Sequence, residues 1–158
     1  MDFSGFLGLL KLALITATPL ALGAYGGIMC ERAGVVNIAI EGMMLTSAMT
    51  AQLITMYASV PILAAYGNPA IGSDGAEPAK IVSLILGLVG GLLTGALLGL
   101  LHGVVSIRFK ADQIISGTVI NILAWGLTGW VYQRWMSVTL GAPTSPGTVP
   151  LRPVPLLS

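Results

Sequence analysis

Charge is scarce in this chain. Of 158 residues only 7 are Lys or Arg and 6 are Asp or Glu, 8% in all, where a soluble domain carries about 25%. That shortfall excludes an ordinary solvated surface. Together with 55% hydrophobic residues and a mean hydropathy of +0.91, it marks an integral membrane protein. A net charge of +1 supplies no basic face, so nucleic acid is excluded as a partner. The single cysteine, Cys30, rules out an internal disulfide and a cysteine-rich metal site, and it reads as a small packing residue. The one histidine, His102, has no second ligand or triad partner in the sequence and reads as a satisfied polar residue near an interface. No Walker A loop and no nucleophile–base pair occurs. Neither ATP hydrolysis nor a membrane enzyme therefore has residues to carry it, and no metal or cofactor is expected. A cleavable signal peptide is not expected either, because the N-terminus lacks a basic region and the apolar run continues past Lys11 to Cys30.

What the chain does have is long apolar stretches. A span needs about 20 such residues, and the sequence has room for about four, near 3–29, 38–59, 80–107 and 113–137. The expected fold is an all-α integral membrane protein with one transmembrane domain across 1–158 and a proline-rich loop or tail at 141–158. Pro19 follows Thr16 and Thr18 and is expected to kink the first span, with the hydroxyls taking up freed backbone bonds. Pro61 is expected to end or bend the second. The methionines of that second span read as gap-fillers more than as a pathway lining. Residues 66–80 are rich in turn formers and read as a loop.

The stretch between the first two spans is the most informative. Residues 31–42, Glu-Arg-Ala-Gly-Val-Val-Asn-Ile-Ala-Ile-Glu-Gly, set two carboxylates, a guanidinium and a carboxamide between apolar runs. A charge at mid-helix costs roughly 2.5–3.5 kcal/mol on insertion scales, so these groups need partners, a wet cavity or a function. Val36, Ile38 and Ile40 alternate with Asn37, Ala39 and Glu41, which suits an extended segment. Asn37 and Glu41 are also four apart, which would stack them on one helix face. With Gly34 and Gly42 at its ends, the segment reads as a broken or re-entrant element whose polar groups face protein or a cavity. The competing reading is a plain connecting loop with Glu41 paired to Arg32.

In the third span Gly87, Gly91, Gly95, Gly99 and Gly103 recur every four residues, a smooth stripe that reads as a helix-packing surface. Arg108 and Lys110 form the densest basic cluster and place the next loop in the cytoplasm. The fourth span carries Asn121 in its middle, best read as bonding a neighbouring helix, with Trp125 one turn on. Trp130, Tyr132, Arg134 and Trp135 read as an interfacial belt at its far end.

Two of these stretches, "ATPLALGAYGGIMCERAGVVNIAIEGMML" (17–45) and "ADQIISGTVINILAWGLT" (111–128), resemble the membrane permeases of bacterial ABC importers. The superfamily is that of branched-chain amino acid, ribose and nucleoside permeases, and the 31–42 form is most similar to its nucleoside-type members. The resemblance covers nearly the whole chain but only the N-terminal half of a typical member; the glycine- and alanine-rich segment that docks on the ATPase is not found. It implies a multi-pass protein of the bacterial plasma membrane, forming part of a translocation pathway for nucleosides or related small polar solutes. The implied partners are an ATP-binding subunit, an extracytoplasmic solute-binding protein, a second permease subunit and the lipid bilayer. Asn37, Glu41, Asn121 and Trp125 are the expected pathway residues, while Glu31, Arg32 and Asp112 are expected to hold the broken segment. The alternatives are sugars or branched-chain amino acids as cargo, or a small scaffold subunit that only packs through its glycine stripe.

Overall fold

A computed structural model describes residues 2–65 and 77–137. The described chain is helical: α1 (Phe3–Arg32), α2 (Ile40–Ala65), α3 (Glu77–Gly103) and α4 (Gln113–Val131). Short π-helical turns continue α3 over Val104–Arg108 and α4 over Tyr132–Ser137. Of the expected loop at 66–80, residues 77–80 instead form the first turn of α3, while 66–76, the tail at 141–158 and the Trp135 side chain lie outside the described residues.

Three helices are long and apolar enough to cross a membrane, over Phe3–Arg32, Pro78–Arg108 and Gln113–Arg134. The fourth, α2, which carries Glu41, Gln52 and five Ser or Thr residues, is not among them. It is also the helix the others surround. α2 packs along α3, then on α4, and only lightly on α1. α2 is thus the most covered helix, and its threonine hydroxyls are satisfied within the helix. Thr46, Thr50 and Thr55 each donate to the carbonyl four residues earlier, at 2.7, 2.9 and 2.8 Å. Pro61 does not end α2, which runs on to Ala65.

The glycine stripe explains the α2–α3 contact. A methyl added to Gly87 would overlap the Thr55 hydroxyl and stand 2.6 Å from the Ala51 carbonyl oxygen. One on Gly91 would meet the Ser47 carbonyl oxygen at 3.0 Å, and one on Gly95 the Ser47 hydroxyl at 2.9 Å. Moving up α3 by fours thus moves down α2 by fours, so the helices are antiparallel, with their backbones in contact along matched small residues. At Gly99 and Gly103 an added methyl meets nothing within 4 Å. That register would place these two opposite the very start of α2, where the helix gives way to the interrupted segment.

The interior holds almost no large side chains. Its buried apolar residues are Ala39, Ala79, Ile120 and Ala124, and its buried polar ones Ser83, His102, Ser106 and Thr128. Leucines and isoleucines turn outward, and α1 buries nothing at all. In water this would be an inverted protein. In hydrocarbon, where lipid tails are as apolar as leucine, close backbone packing and hydrogen bonds hold helices together instead.

Candidate functional site

Residues 33–39 break the helix between α1 and α2. α1 ends at Arg32 because Gly34 adopts φ +79°, a left-handed conformation that suits glycine. The Gly34 amide donates to the Glu31 carbonyl at 2.9 Å and the Val35 amide to the Cys30 carbonyl at 3.0 Å. These are the two bonds of a Schellman cap. Beyond it Val35, Val36 and Asn37 have no regular secondary structure, Ile38 and Ala39 form a turn, and α2 begins only at Ile40. Asn37 therefore stands outside the helix that carries Glu41 and does not stack on it.

In a membrane the backbone groups of such a break need partners, and one face of α4 supplies three of them. The Val36 amide donates to the Gln113 side-chain oxygen at 2.6 Å. The Ile38 and Ala39 backbone lies against Gly117, where an added methyl would stand 3.1 Å from the Ala39 nitrogen. The Asn121 amide then makes two bonds, accepting from the Gly42 N–H at 2.8 Å and donating to the Ile38 carbonyl at 2.9 Å. Ile38 and Gly42 are four apart, so this carbonyl and this N–H are the pair that would bond each other in a continuous helix. Asn121 inserts between them, and the first regular bond of α2 follows at once, from the Met43 amide to the Ala39 carbonyl at 2.9 Å. Asn37 closes the remaining gap by accepting from the Ala39 amide at 3.0 Å.

Gln113, Gly117 and Asn121 are spaced by four and form one row on α4. The segment climbs beside this row for two helical turns, about 12 Å of rise. α2 consequently starts inside the bundle, level with Asn121, which carries Glu41 to that depth. The two sequence stretches noted above are the two halves of one joint.

The charges around the breaks serve helix ends. Glu41 lies in the first turn of α2, Arg32 in the last turn of α1, and Asp112 caps α4 by accepting from the Ile114 and Ile115 amides at 2.8 and 3.1 Å. Each has the sign that its helix dipole favours. Among the described residues no ion pair joins Glu41 to Arg32, and Glu31, Arg32 and Glu41 are all exposed. Asn37 is half-buried, its Nδ2 facing only the sulfurs of Cys30 and Met43, at 3.7 and 3.8 Å. Sulfur is a weak acceptor, so this donor keeps capacity for a better one. Trp125 is 67% exposed, one turn beyond Asn121. Asn121 bonds the neighbouring helix α2 at Gly42, as expected, and the interrupted segment at Ile38 as well, and Gln113 and Gly117, absent from the sequence-based site, stand with it. Their four-residue spacing with Asn121 is the signal that would have found them.

A polytopic helical protein with a backbone break held at depth by amide side chains is the class these observations define. Residues 9–156 match the family described as "Branched-chain amino acid transport system / permease component", and the chain belongs to it. It is 36% identical over 115 residues, 73% of this chain and 31% of the relative, to the guanosine ABC transporter permease protein NupQ of Bacillus subtilis. It is 32% identical over 120 residues, 76% of this chain and 32% of the relative, to the nucleoside ABC transporter permease protein NupC of Lactococcus lactis subsp. cremoris. A protein of Haloferax volcanii, provisionally named as the glucose ABC transporter permease TsgC13, is 33% identical over 133 residues, 84% of this chain and 33% of its own length. The chain spans about a third of the length of these relatives. No solved structure matches it with significance.

Proposed function

We propose that this chain forms part of the translocation pathway of an ABC importer that takes up nucleosides or related small polar solutes. Such a protein sits in the bacterial plasma membrane and draws its energy from a separate ATP-binding subunit. An extracytoplasmic solute-binding protein delivers the cargo, and a second permease subunit completes the pathway. The names of NupQ and NupC favour nucleosides among the superfamily's solutes.

The observation that carries the reading is the clamped break. It holds an exposed, unpaired carboxylate, Glu41, in the first turn of α2 and an underused amide donor, Asn37, just before it. Ribose hydroxyls and base edges are hydrogen-bonding groups that carboxylate and amide partners match. In this reading Glu41 and Asn37 touch the solute, Trp125 offers a ring for stacking, and Asn121 acts by fixing where the other two stand. Glu31, Arg32 and Asp112 set the helix ends on either side.

Uptake of a radiolabelled nucleoside by cells expressing Glu41→Gln tests it. The expected result is reduced uptake with membrane insertion intact. Uptake kinetics equal to the parent's would remove Glu41 from the pathway.

A further inference from the structure

The α3–α4 junction holds a second polar cluster that the transport reading does not use. His102 is 2% exposed and Ser106 7% exposed, on the last turns of α3. Across from them Ser116 of α4 places its hydroxyl 3.1 Å from His102 Nδ1. Two atoms remain without any protein partner, His102 Nε2 and Ser106 Oγ. Buried polar groups are hydrogen-bonded in the large majority of cases, because an orphan bears the full penalty of its desolvation.

Ser106 differs from the threonines and from the other buried helical serine, Ser83. Every threonine of the described helices donates to the carbonyl four residues earlier, from Thr16 to Thr128. The buried Ser83 does the same. Ser106 does not, because α3 has widened into the π turn Val104–Arg108, where the Phe109 amide reaches back five residues to the Val104 carbonyl. The turn displaces the usual acceptor and leaves the hydroxyl free on the face that carries His102 four residues before it.

We propose that His102 Nε2 and Ser106 Oγ together bind one internal water molecule, and that this water completes the polar node tying α3 to α4. The tautomer follows from the partners. Ser116 has no other acceptor, so its O–H donates to Nδ1, and the ring proton sits on Nε2, which donates to the water. Ser106 bonds the same water through its hydroxyl. With two side-chain partners the water meets the lower bound for an internal site.

His102 is the only histidine of the chain, so histidine-selective 15N labelling of this chain, purified through a histidine-free tag into lipid nanodiscs, reports this ring alone. The expected spectrum has the proton on Nε2, with a cross-peak from that proton to a slowly exchanging water. Ser106→Ala should abolish the cross-peak and move the Nε2 signal while leaving Nδ1 in place. Ser116→Ala should move Nδ1. A proton on Nδ1, no water cross-peak in the parent protein, or an Nε2 signal indifferent to Ser106→Ala would each overturn the proposal. The parent spectrum alone decides the first two, so the test survives a variant that fails to fold.

Discussion

Replacing Asn121 by alanine removes a side chain that makes both bonds at the start of α2. The Gly42 N–H and the Ile38 carbonyl lose partners held at 2.8 and 2.9 Å. Side-chain hydrogen bonds between transmembrane helices average only about 0.6 kcal/mol, because the separated groups find other partners. Here the partners are backbone groups of a break that cannot move far, and each orphan costs about 1–3 kcal/mol. Direct pairing of Gly42 with Ile38 would recover one bond of about 1 kcal/mol. We expect Asn121→Ala to destabilise the joint by about 2–4 kcal/mol on this basis. Asn121→Asp should be worse, since it keeps the acceptor for Gly42 but turns a carboxylate toward the Ile38 carbonyl. The half-buried Cys30, the sole cysteine, stands at the mouth of the break and reports its opening. Opening easier by about 2 kcal/mol raises the maleimide labelling rate of Cys30 about 30-fold, at one decade per 1.4 kcal/mol. Equal labelling rates and equal thermal midpoints in the parent and in Asn121→Ala would refute the reasoning.

Other substitutions probe the same architecture. Gly87→Ala drives a methyl into Thr55 and the Ala51 carbonyl and should lower the detergent-solubilised melting temperature. Gly99→Ala meets nothing and should leave it unchanged or raise it, since alanine is favoured in helices by about 1 kcal/mol. Gly34→Ala forces a β-carbon into the left-handed region at φ +79° and should cost about 1–2 kcal/mol in equilibrium unfolding. Gly42→Ala sets a methyl 2.7 Å from Asn121 Oδ1. Combined with Asn121→Ala it should destabilise less than the two single changes added together, because both act on one contact.

Much of this was legible in the sequence, for reasons that differ by element. The apolar runs and the scarcity of charge fix an all-helical membrane protein by length alone. The break at 31–42 announces itself because glycines, charges and a period-two pattern coincide there. Intermediate features failed where two effects compete locally. The four-residue spacing of Asn37 and Glu41 mimics a helical pair, but the Schellman cap and the Asn121 wedge hold the helix off until Ile40. Pro61 looks like a terminator, yet α2 continues through it. The clamp itself could not be read along the chain, since Gln113 and Val36 are 77 positions apart and only folding makes them neighbours. His102 was readable only as a satisfied polar residue near an interface, and its partner Ser116 came from the fold. Its second nitrogen became visible only once the π turn was known to deprive Ser106 of its ordinary acceptor.

Amide side chains of α4, Gln113 and Asn121, hold the non-helical segment between α1 and α2. Residue-resolved hydrogen exchange of the full protein in nanodiscs tests this most directly. The account predicts that Gln113→Ala deprotects the Val36 amide and leaves Gly42 protected. It predicts that Asn121→Ala deprotects Gly42 and leaves the first-turn amides of α4 unchanged. Val36 and Gly42 exchanging at parental rates in both variants would contradict it.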